Sequence, residues 1–280
     1  LTVKNNNFKS LNSNCSILSH SLKTKIKDQF ARIKGKKTNI TKAINSLSFL
    51  LKKSKSTLFA GMGTDIKGTK AALKIADNFK CIIDHFSGDN YVRNIKSIQE
   101  VGGFYLTLSE LKNRSDTIII IQSSNDELPR LFEKYIFSKK TINNLKKRKV
   151  IFIGNKVPQF LYKNKKKLDF DHIKLNSINL LNFISSLRNS INSEISGIRD
   201  KKIINLLKLL KQTNYGSILW SIRELDNNIS DLIVTEINLL IQDLNKFTRF
   251  AGLSITGSDH ILTVNEVLLW QTGFPIRTSF

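Results

Sequence analysis

Leu58-Phe59-Ala60-Gly61-Met62-Gly63-Thr64-Asp65 decides how this chain is read. A short apolar run flows into a glycine turn. Thr64 or Asp65 can then cap a helix, because a short polar side chain accepts a hydrogen bond from an unpaired N–H of the first turn. That helix runs to Phe79, with Ala71, Ala72, Leu73, Ile75 and Ala76 as its packing surface. Cys81-Ile82-Ile83-Asp84 reads as the next strand. Residues 85–92 read as a loop with Gly88 and Asn90 as turn residues, and Ile95 to Val101 as a short helix ended by Gly102-Gly103. Phe104 to Leu106 is a strand, and Thr107 with Glu110 forms a capping box at the next helix start. Thr117-Ile118-Ile119-Ile120-Ile121 is the β-branched run expected of a central parallel strand covered on both faces, and Val150 to Ile153 is a second. Alternation of strand and helix from Leu58 to Arg130 predicts a three-layer α/β fold with mostly parallel sheet.

Upstream, residues 1–20 are rich in Asn and Ser and read as a tail or loop. Leu22, Ile26, Phe30 and Ile33 have helical spacing, with Gly35 as the stop. Asn39 or Thr41 can cap a second helix whose buried stripe is Ile44, Leu47, Leu50 and Leu51. Downstream, Lys163 to Lys167 is a charged turn, Asn176 or Ser177 caps a helix to about Ile191, and Arg199 to Lys211 is amphipathic. Ser217 to Trp220 is a strand, Asp231 to Lys246 a long apolar helix and Phe247 to Ile255 a strand. The order of elements in residues 41–84 recurs in residues 199–255. Either two related α/β lobes or the ordinary rhythm of α/β folds accounts for that. The division expected is a tail over 1–20, a first lobe over 21–160 and a second over 161–280.

The 280 residues carry a net charge of +23, which poses a choice. It is the electrostatic footprint of a nucleic-acid or anionic-membrane binder, or it is compositional bias. Lys far outnumbers Arg, and Lys, Asn and Ile all have AT-rich codons. Phosphate-clamping and base-reading surfaces favour the planar fork of Arg. The charge is therefore read as the mark of an AT-rich bacterial genome rather than of nucleic-acid binding. No apolar run approaches the roughly 20 residues of a membrane helix, no signal peptide is visible in the opening residues, and a cytoplasmic location is the expectation. The chain opens on Leu1 and its single Met is Met62, so it is read as part of a longer one.

The turn Gly61-x-Gly63, between strand and helix, is a context in which backbone amides hold phosphate. Position 66 is Ile, however, Gly68 falls two residues late, and Asp65 sets a negative charge where phosphate would dock. A tight turn or a vestigial ligand loop fits better than a dinucleotide site. Asp84-His85 lies at a carboxyl strand end, where open α/β sheets place function. The pair either orients an imidazole for acid–base work or is a capping Asp beside a surface His. His20, His172 and His260 are isolated, Cys15 and Cys81 form no ligand pair, and no local metal motif exists. Asn113-Arg114 and Asp116 sit at a helix end, and Pro129-Arg130 reads as a turn into a helix. Trp270-Gln271-Thr272-Gly273-Phe274-Pro275 reads as a compact aromatic turn that packs over a sheet edge or lines a pocket.

These residues, in this order, resemble a family. Phe59 to Asp65 with Gly68 and Ala71-Ala72, Asp84-His85, Gln99 and Gly102, Thr107-Leu108 with Glu110, Asn113-Arg114 and Asp116, Pro129-Arg130, and Trp270 to Pro275 look like the B-type subunit of formylmethanofuran dehydrogenase, and more closely like its methylotroph counterpart, the beta subunit of the formyltransferase/hydrolase complex. The resemblance spans about residues 25–280 and implies a molybdopterin-oxidoreductase scaffold of two related α/β lobes. In that family a bis-pterin molybdenum or tungsten centre stands beside an iron–sulfur cluster. The cluster needs several N-terminal cysteines, whereas Cys15 is alone. The metal of the redox enzymes needs a Cys or selenocysteine after the Asp84 strand, whereas the loop reads Phe86-Ser87-Gly88-Asp89-Asn90-Tyr91.

The resemblance thus implies a non-redox scaffold subunit of one-carbon metabolism, with no cofactor of its own. Its partners would be a formyltransferase subunit and an amidohydrolase-like subunit holding zinc, which together move a formyl group between tetrahydromethanopterin and a methanofuran-type carrier and hydrolyse it. Gly61, Gly63, Asp65, Asp84, His85, Asn113, Arg114, Gln271, Thr272 and Gly273 are the candidate lining of a vestigial pocket. A redox subunit that uses molybdopterin and a basic nucleic-acid-binding protein are the alternatives.

Overall fold

The structure, a computed structural model, describes residues 2–4, 7–9, 20, 30–123, 131–137, 148–164, 166, 168–191, 200–255 and 260–280. The chain divides into two compact units, Leu1–Thr57 and Leu58–Phe280.

Among its described residues the first unit has two antiparallel strand pairs and a helix. Strands β1 (Thr2–Lys4) and β2 (Asn7–Lys9) pair with each other, as do β3 (Ala31–Ile33) and β4 (Lys36–Thr38), and helix α1 spans Ile40–Lys53. The expected helix ending at Ile33 is corrected: its last residues are strand. Lys34 and Gly35 have φ of 49° and 78°. Two successive left-handed residues make the tight turn whose twist matches a hairpin, so local turn chemistry overrides the apolar spacing. Residues 21–29 and Cys15 lie outside the described residues. Asn39 caps α1, its Oδ1 accepting the Lys42 N–H at 2.8 Å. The stripe expected to be buried on α1 is instead exposed at Ile44, Leu47 and Leu50.

The second unit opens with β5 (Leu58–Phe59), α2 (Ile66–Phe79), β6 (Ile82–Ile83), α3 (Gly88–Val101) and α4 (Leu108–Asn113). It continues with β7 (Thr117–Ile121), a π-helical turn over Phe132–Ile136, β8 (Lys149–Gly154), α5 (Gln159–Asn164), β9 (Asp169–Lys174), α6 (Ser177–Ile191) and α7 (Lys201–Gln212). It closes with β10 (Tyr215–Trp220), α8 (Ser230–Leu244), β11 (Arg249–Ser254), α9 (Ile261–Thr272) and β12 (Thr278–Ser279). The expected α/β class with parallel sheet is what the structure has. Strands run β11-β10-β7-β8-β9 in one sheet, all parallel. That order starts at β7, moves outward to β9, then returns to β10 and β11, which makes the sheet doubly wound with its switch between β7 and β10. The sheet draws β7 and β8 from before residue 160 and β9 to β11 from after it.

The period-2 geometry of strands explains the layering. Ile119 and Ile121 pack with Leu180, Leu207 and Ile237 of the helices on one face, while Ile118 and Ile120 meet Leu111, Phe132 and Leu161 on the other. All five residues of β7 are buried, as a continuous β-branched run requires. A smaller sheet, β12-β6-β5, has β5 parallel and β12 antiparallel to β6. Its core joins Leu73 and Ala76 of α2, Cys81, Ile83, and Val264 and Leu268 of α9. The two parallel pairs β5–β6 and β10–β11, each joined through a helix, account for the recurrent element order.

Several sequence expectations change. The loop expected over 85–92 and the short helix after it are one helix beginning at Gly88, since Tyr91 and Val92 find core partners that local turn propensity does not reveal. Residues 104–106 make one bridge, Tyr105 to Gly252, rather than a full strand. Strand β9, Asp-Phe-Asp-His-Ile-Lys, is not legible in the sequence; its charged residues are exposed, as suits an edge strand, while Phe170 and Ile173 are half-buried against the cores. The segment at Trp270 is not a free turn: Trp270 to Thr272 end α9, and Gly273, with φ of 77°, caps it.

Candidate functional site

The glycine turn and Asp84-His85 leave the carboxyl ends of adjacent parallel strands, since Phe59 pairs with Ile83. Asp65 caps α2, its Oδ1 accepting the Gly68 N–H at 2.8 Å. The charge expected to repel phosphate therefore occupies the helix N-terminus itself. Gly61, with φ of 78°, and Gly63 are exposed.

Asp84 does not orient the imidazole of His85. Its Oδ1 accepts the backbone N–H of His85 at 2.8 Å, and its Oδ2 pairs with Arg277 Nε at 3.0 Å. Arg277 Nη2 also reaches Asp89 at 2.7 Å. This hydrogen bond, with the charge of Arg277, holds the Asp89 carboxyl below its ordinary range, and the two carboxylates hold the guanidinium pKa up. His85 is buried, not a surface His, and its ring stacks on Phe86. Its Nδ1 accepts the Ser87 N–H at 3.0 Å. Gly88 is required here by close approach: a Cβ would stand 2.3 Å from Asp84 Oδ1.

Arg277 comes from the far end of the chain. Its N–H donates to Ile83 O at 2.9 Å, which starts the pairing of β12 on β6. α9 packs on α2, with Lys70 Nζ 3.9 Å over the Trp270 ring. The end of α9 thus approaches the start of α2, which follows the Gly61–Asp65 turn. There Thr272 Oγ1 donates to Leu268 O at 2.8 Å and accepts the Phe274 N–H at 3.0 Å, and Gln271 is exposed. Asn113 and Arg114 lie elsewhere, at the amino edge of the five-stranded sheet, where the Arg114 N–H closes α4 on Glu110 O at 2.8 Å. Pro129 and Arg130 lie outside the described residues.

Two features escaped the sequence. One is Arg277, which carried no motif. The other is a cleft of about 260 Å³ at the carboxyl end of the large sheet, lined by Gln122, Asn155, Lys156, Ser177 and Glu224. Gln122 has φ of 40° and its amide meets Ser177 Oγ at 3.0 Å. A polar residue directly after the Thr117–Ile121 run was the available signal. Asn94 ties α3 to this end of the sheet. It accepts from Trp220 Nε1 at 3.1 Å and donates to Ser254 Oγ at 2.9 Å, and both partners are terminal strand residues.

Among the described residues no three His, Cys, Asp or Glu side chains cluster so as to hold a metal. The donor set beside β6 does not fit a thiolate-held metal. The loop has no sulfur, Asp84 and Asp89 are engaged by Arg277, and Cys81 is fully buried among apolar side chains with its carbonyl accepting the Phe280 N–H. No helix among the described residues is long and apolar enough to cross a membrane.

No protein-family model matches the chain. It is 22% identical over 256 residues to the B-type subunit of the tungsten-containing formylmethanofuran dehydrogenase 2 of Methanococcus maripaludis, covering 88% of this chain and 58% of the relative. The namesake from Methanocaldococcus jannaschii is 23% identical over 265 residues, with the same coverage. The B-type subunit of the formyltransferase/hydrolase complex of Methylorubrum extorquens is 21% identical over 252 residues, 89% of this chain and 66% of the relative. The chain therefore spans less than two thirds of the length of these relatives. A chain in the crystal structure of the M. extorquens formyltransferase/hydrolase complex with methylofuran superposes with a TM-score of 0.72 at 20% identity, over 89% of this chain and 67% of that one. Over most of its length the chain is similar in sequence to the B-type subunits of formylmethanofuran dehydrogenase and of the formyltransferase/hydrolase complex, and it shares the fold of a chain in the latter complex.

Proposed function

We propose that this chain is a B-type subunit of a formyltransferase/hydrolase complex in cytoplasmic one-carbon metabolism. It serves as a scaffold without redox chemistry of its own, and a formyltransferase subunit and a zinc-holding amidohydrolase-like subunit carry the reaction. The observation that carries this reading is the closed end of β6. At the position where redox relatives need a soft metal ligand, an Arg277 clasp engages both Asp84 and Asp89 and the loop offers no thiolate. Purifying the full complex tests it. The formyltransferase and hydrolase subunits should co-purify with zinc and without molybdenum or tungsten. Stoichiometric tungsten or molybdenum bound to this chain would favour the second reading, a redox subunit, to which the two tungsten-containing relatives lend support.

A further inference from the structure

Within the second unit the cores do not mix. The core around the small sheet draws only on residues 59–95 and 261–280, and those on the two faces of the large sheet only on residues 106–255. Helix α3 makes the join, and its buried residues are Gly88, Asn94 and Ser97, none a large apolar group. Its apolar side chains Tyr91, Val92 and Ile95 serve the small-sheet core. Asn94, Ser97 and Val101, three and four residues apart, share one side of the helix. That side meets the large-sheet lobe through hydrogen bonds. Asn94 bonds the strand-end residues Trp220 and Ser254, Ser97 Oγ accepts from Asn238 Nδ2 at 2.9 Å, and Gln242 Nε2 donates to Val101 O. At the rim Arg93 Nη1 donates to Asn227 Oδ1 at 2.6 Å and Lys96 Nζ pairs with Asp231 at 3.0 Å. Asn238 Oδ1 is buried in the seam with no hydrogen-bond partner. Water can replace each of these bonds when the surfaces part, and it would also satisfy Asn238 Oδ1.

We infer that residues 58–101 and 261–280 form a hinged cap, which swings as a rigid body about Gly102-Gly103 and uncovers the carboxyl ends of β10 and β11. A polar seam between two separate cores is the kind that permits such motion. The pivot is built for it. Gly102 ends α3 with φ of 71° and ψ of −170°, a region open essentially to glycine alone, and Gly103 follows. The next residues are already fixed on the large sheet: the Gly252 N–H donates to Phe104 O at 2.7 Å and the Leu106 N–H to Gly252 O at 3.1 Å. Two glycines thus link a rigid helix to a rigid sheet. The return crossing, between β11 and α9, lies partly outside the described residues. In the closed form Asn94 lies across the ends of both strands, so the swing controls access to that end of the sheet. The cap is a property of residues 58–280 and stands or falls apart from the scaffold reading.

The test follows hydrogen exchange of the Trp220 Nε1–H, which donates to Asn94 across the seam, by NMR in the full chain at a series of urea concentrations below unfolding. The amide of Ile119, in the middle of the buried strand β7, marks global unfolding. Relative to each group's free rate, the indole should exchange at least about 10-fold faster than that amide, and with a much weaker urea dependence, because parting a polar seam exposes little surface. Ile83→Val thins the small-sheet core. It should lower the global urea midpoint and leave indole exchange unchanged, since a rigid cap keeps its core as it swings. Gly102→Ala puts a side chain into the closed backbone conformation and should speed the indole at least about 5-fold. Indole exchange that follows Ile119 in rate and urea dependence would overturn the inference, because the lobes then part only on unfolding. So would indole exchange that Ile83→Val accelerates in step with the loss of stability, because the small lobe then unfolds rather than swings. A rate unmoved in Gly102→Ala would overturn the pivot at these glycines.

Discussion

Arg148 is 3% exposed and donates to carbonyls rather than to a carboxylate, so its replacement gives a strong test of how the large sheet is held. Its Nη1 donates to the carbonyls of Tyr135 at 2.6 Å and Ile136 at 3.1 Å, and its Nη2 to that of Lys112 in the last turn of α4. The guanidinium thereby satisfies carbonyls at the ends of two helical segments beside the start of β8. Burial pushes its pKa down to about 10, so it remains a cation at neutral pH. At about 1.4 kcal/mol per pKa unit, it carries a desolvation cost of roughly 3 kcal/mol. In Arg148→Met that cost disappears, but three carbonyls, one buried and two partly buried, lose charged donors at about 1–3 kcal/mol each. Mid-range values leave a net loss of about 3 kcal/mol, or a fall in Tm of about 5 °C for a chain of this size. Urea and thermal unfolding followed by circular dichroism measure it. A variant within about 0.5 kcal/mol of the parent, the range of a neutral surface substitution, would refute the reasoning.

Three further outcomes rest on contacts of the same kind. Thr107→Ala removes the acceptor for the Glu110 N–H at 3.1 Å and half of the capping box, and should cost about 1 kcal/mol in urea unfolding. Asn94→Ala leaves Trp220 Nε1 without its buried acceptor and should cost about 1–3 kcal/mol, with a shift in tryptophan fluorescence as the second readout. Asp89 and Asp231 are held low by hydrogen bonds from Arg277 and Lys96, and Glu110 by the Thr107 N–H. Folded-state pKa values below the unfolded ones mean stabilisation that is complete above the unfolded values and lost as pH falls through the folded ones. The urea midpoint should therefore drop below about pH 4, the ordinary carboxyl range, and Arg277→Gln should flatten the part due to Asp89.

What the residues by themselves determined is the local grammar of the fold. The Thr117–Ile121 run could only be a strand covered twice, and Thr107 with Glu110 could only start a helix, because β-branching and capping act within a few residues. The glycine turn, a cap at Thr64 or Asp65 and the absence of a thiolate after Asp84 were legible for the same reason, and the structure settles the cap on Asp65. Tertiary structure decided the rest. Whether residues 85–92 turn or coil depended on core partners for Tyr91 and Val92 from α9 and its neighbours. Whether Asp84 would serve His85 or an ion pair depended on Arg277, 193 residues away. Periodicity made α1 amphipathic but could not say whether its stripe was covered, because burial belongs to what packs on a helix and not to the helix itself.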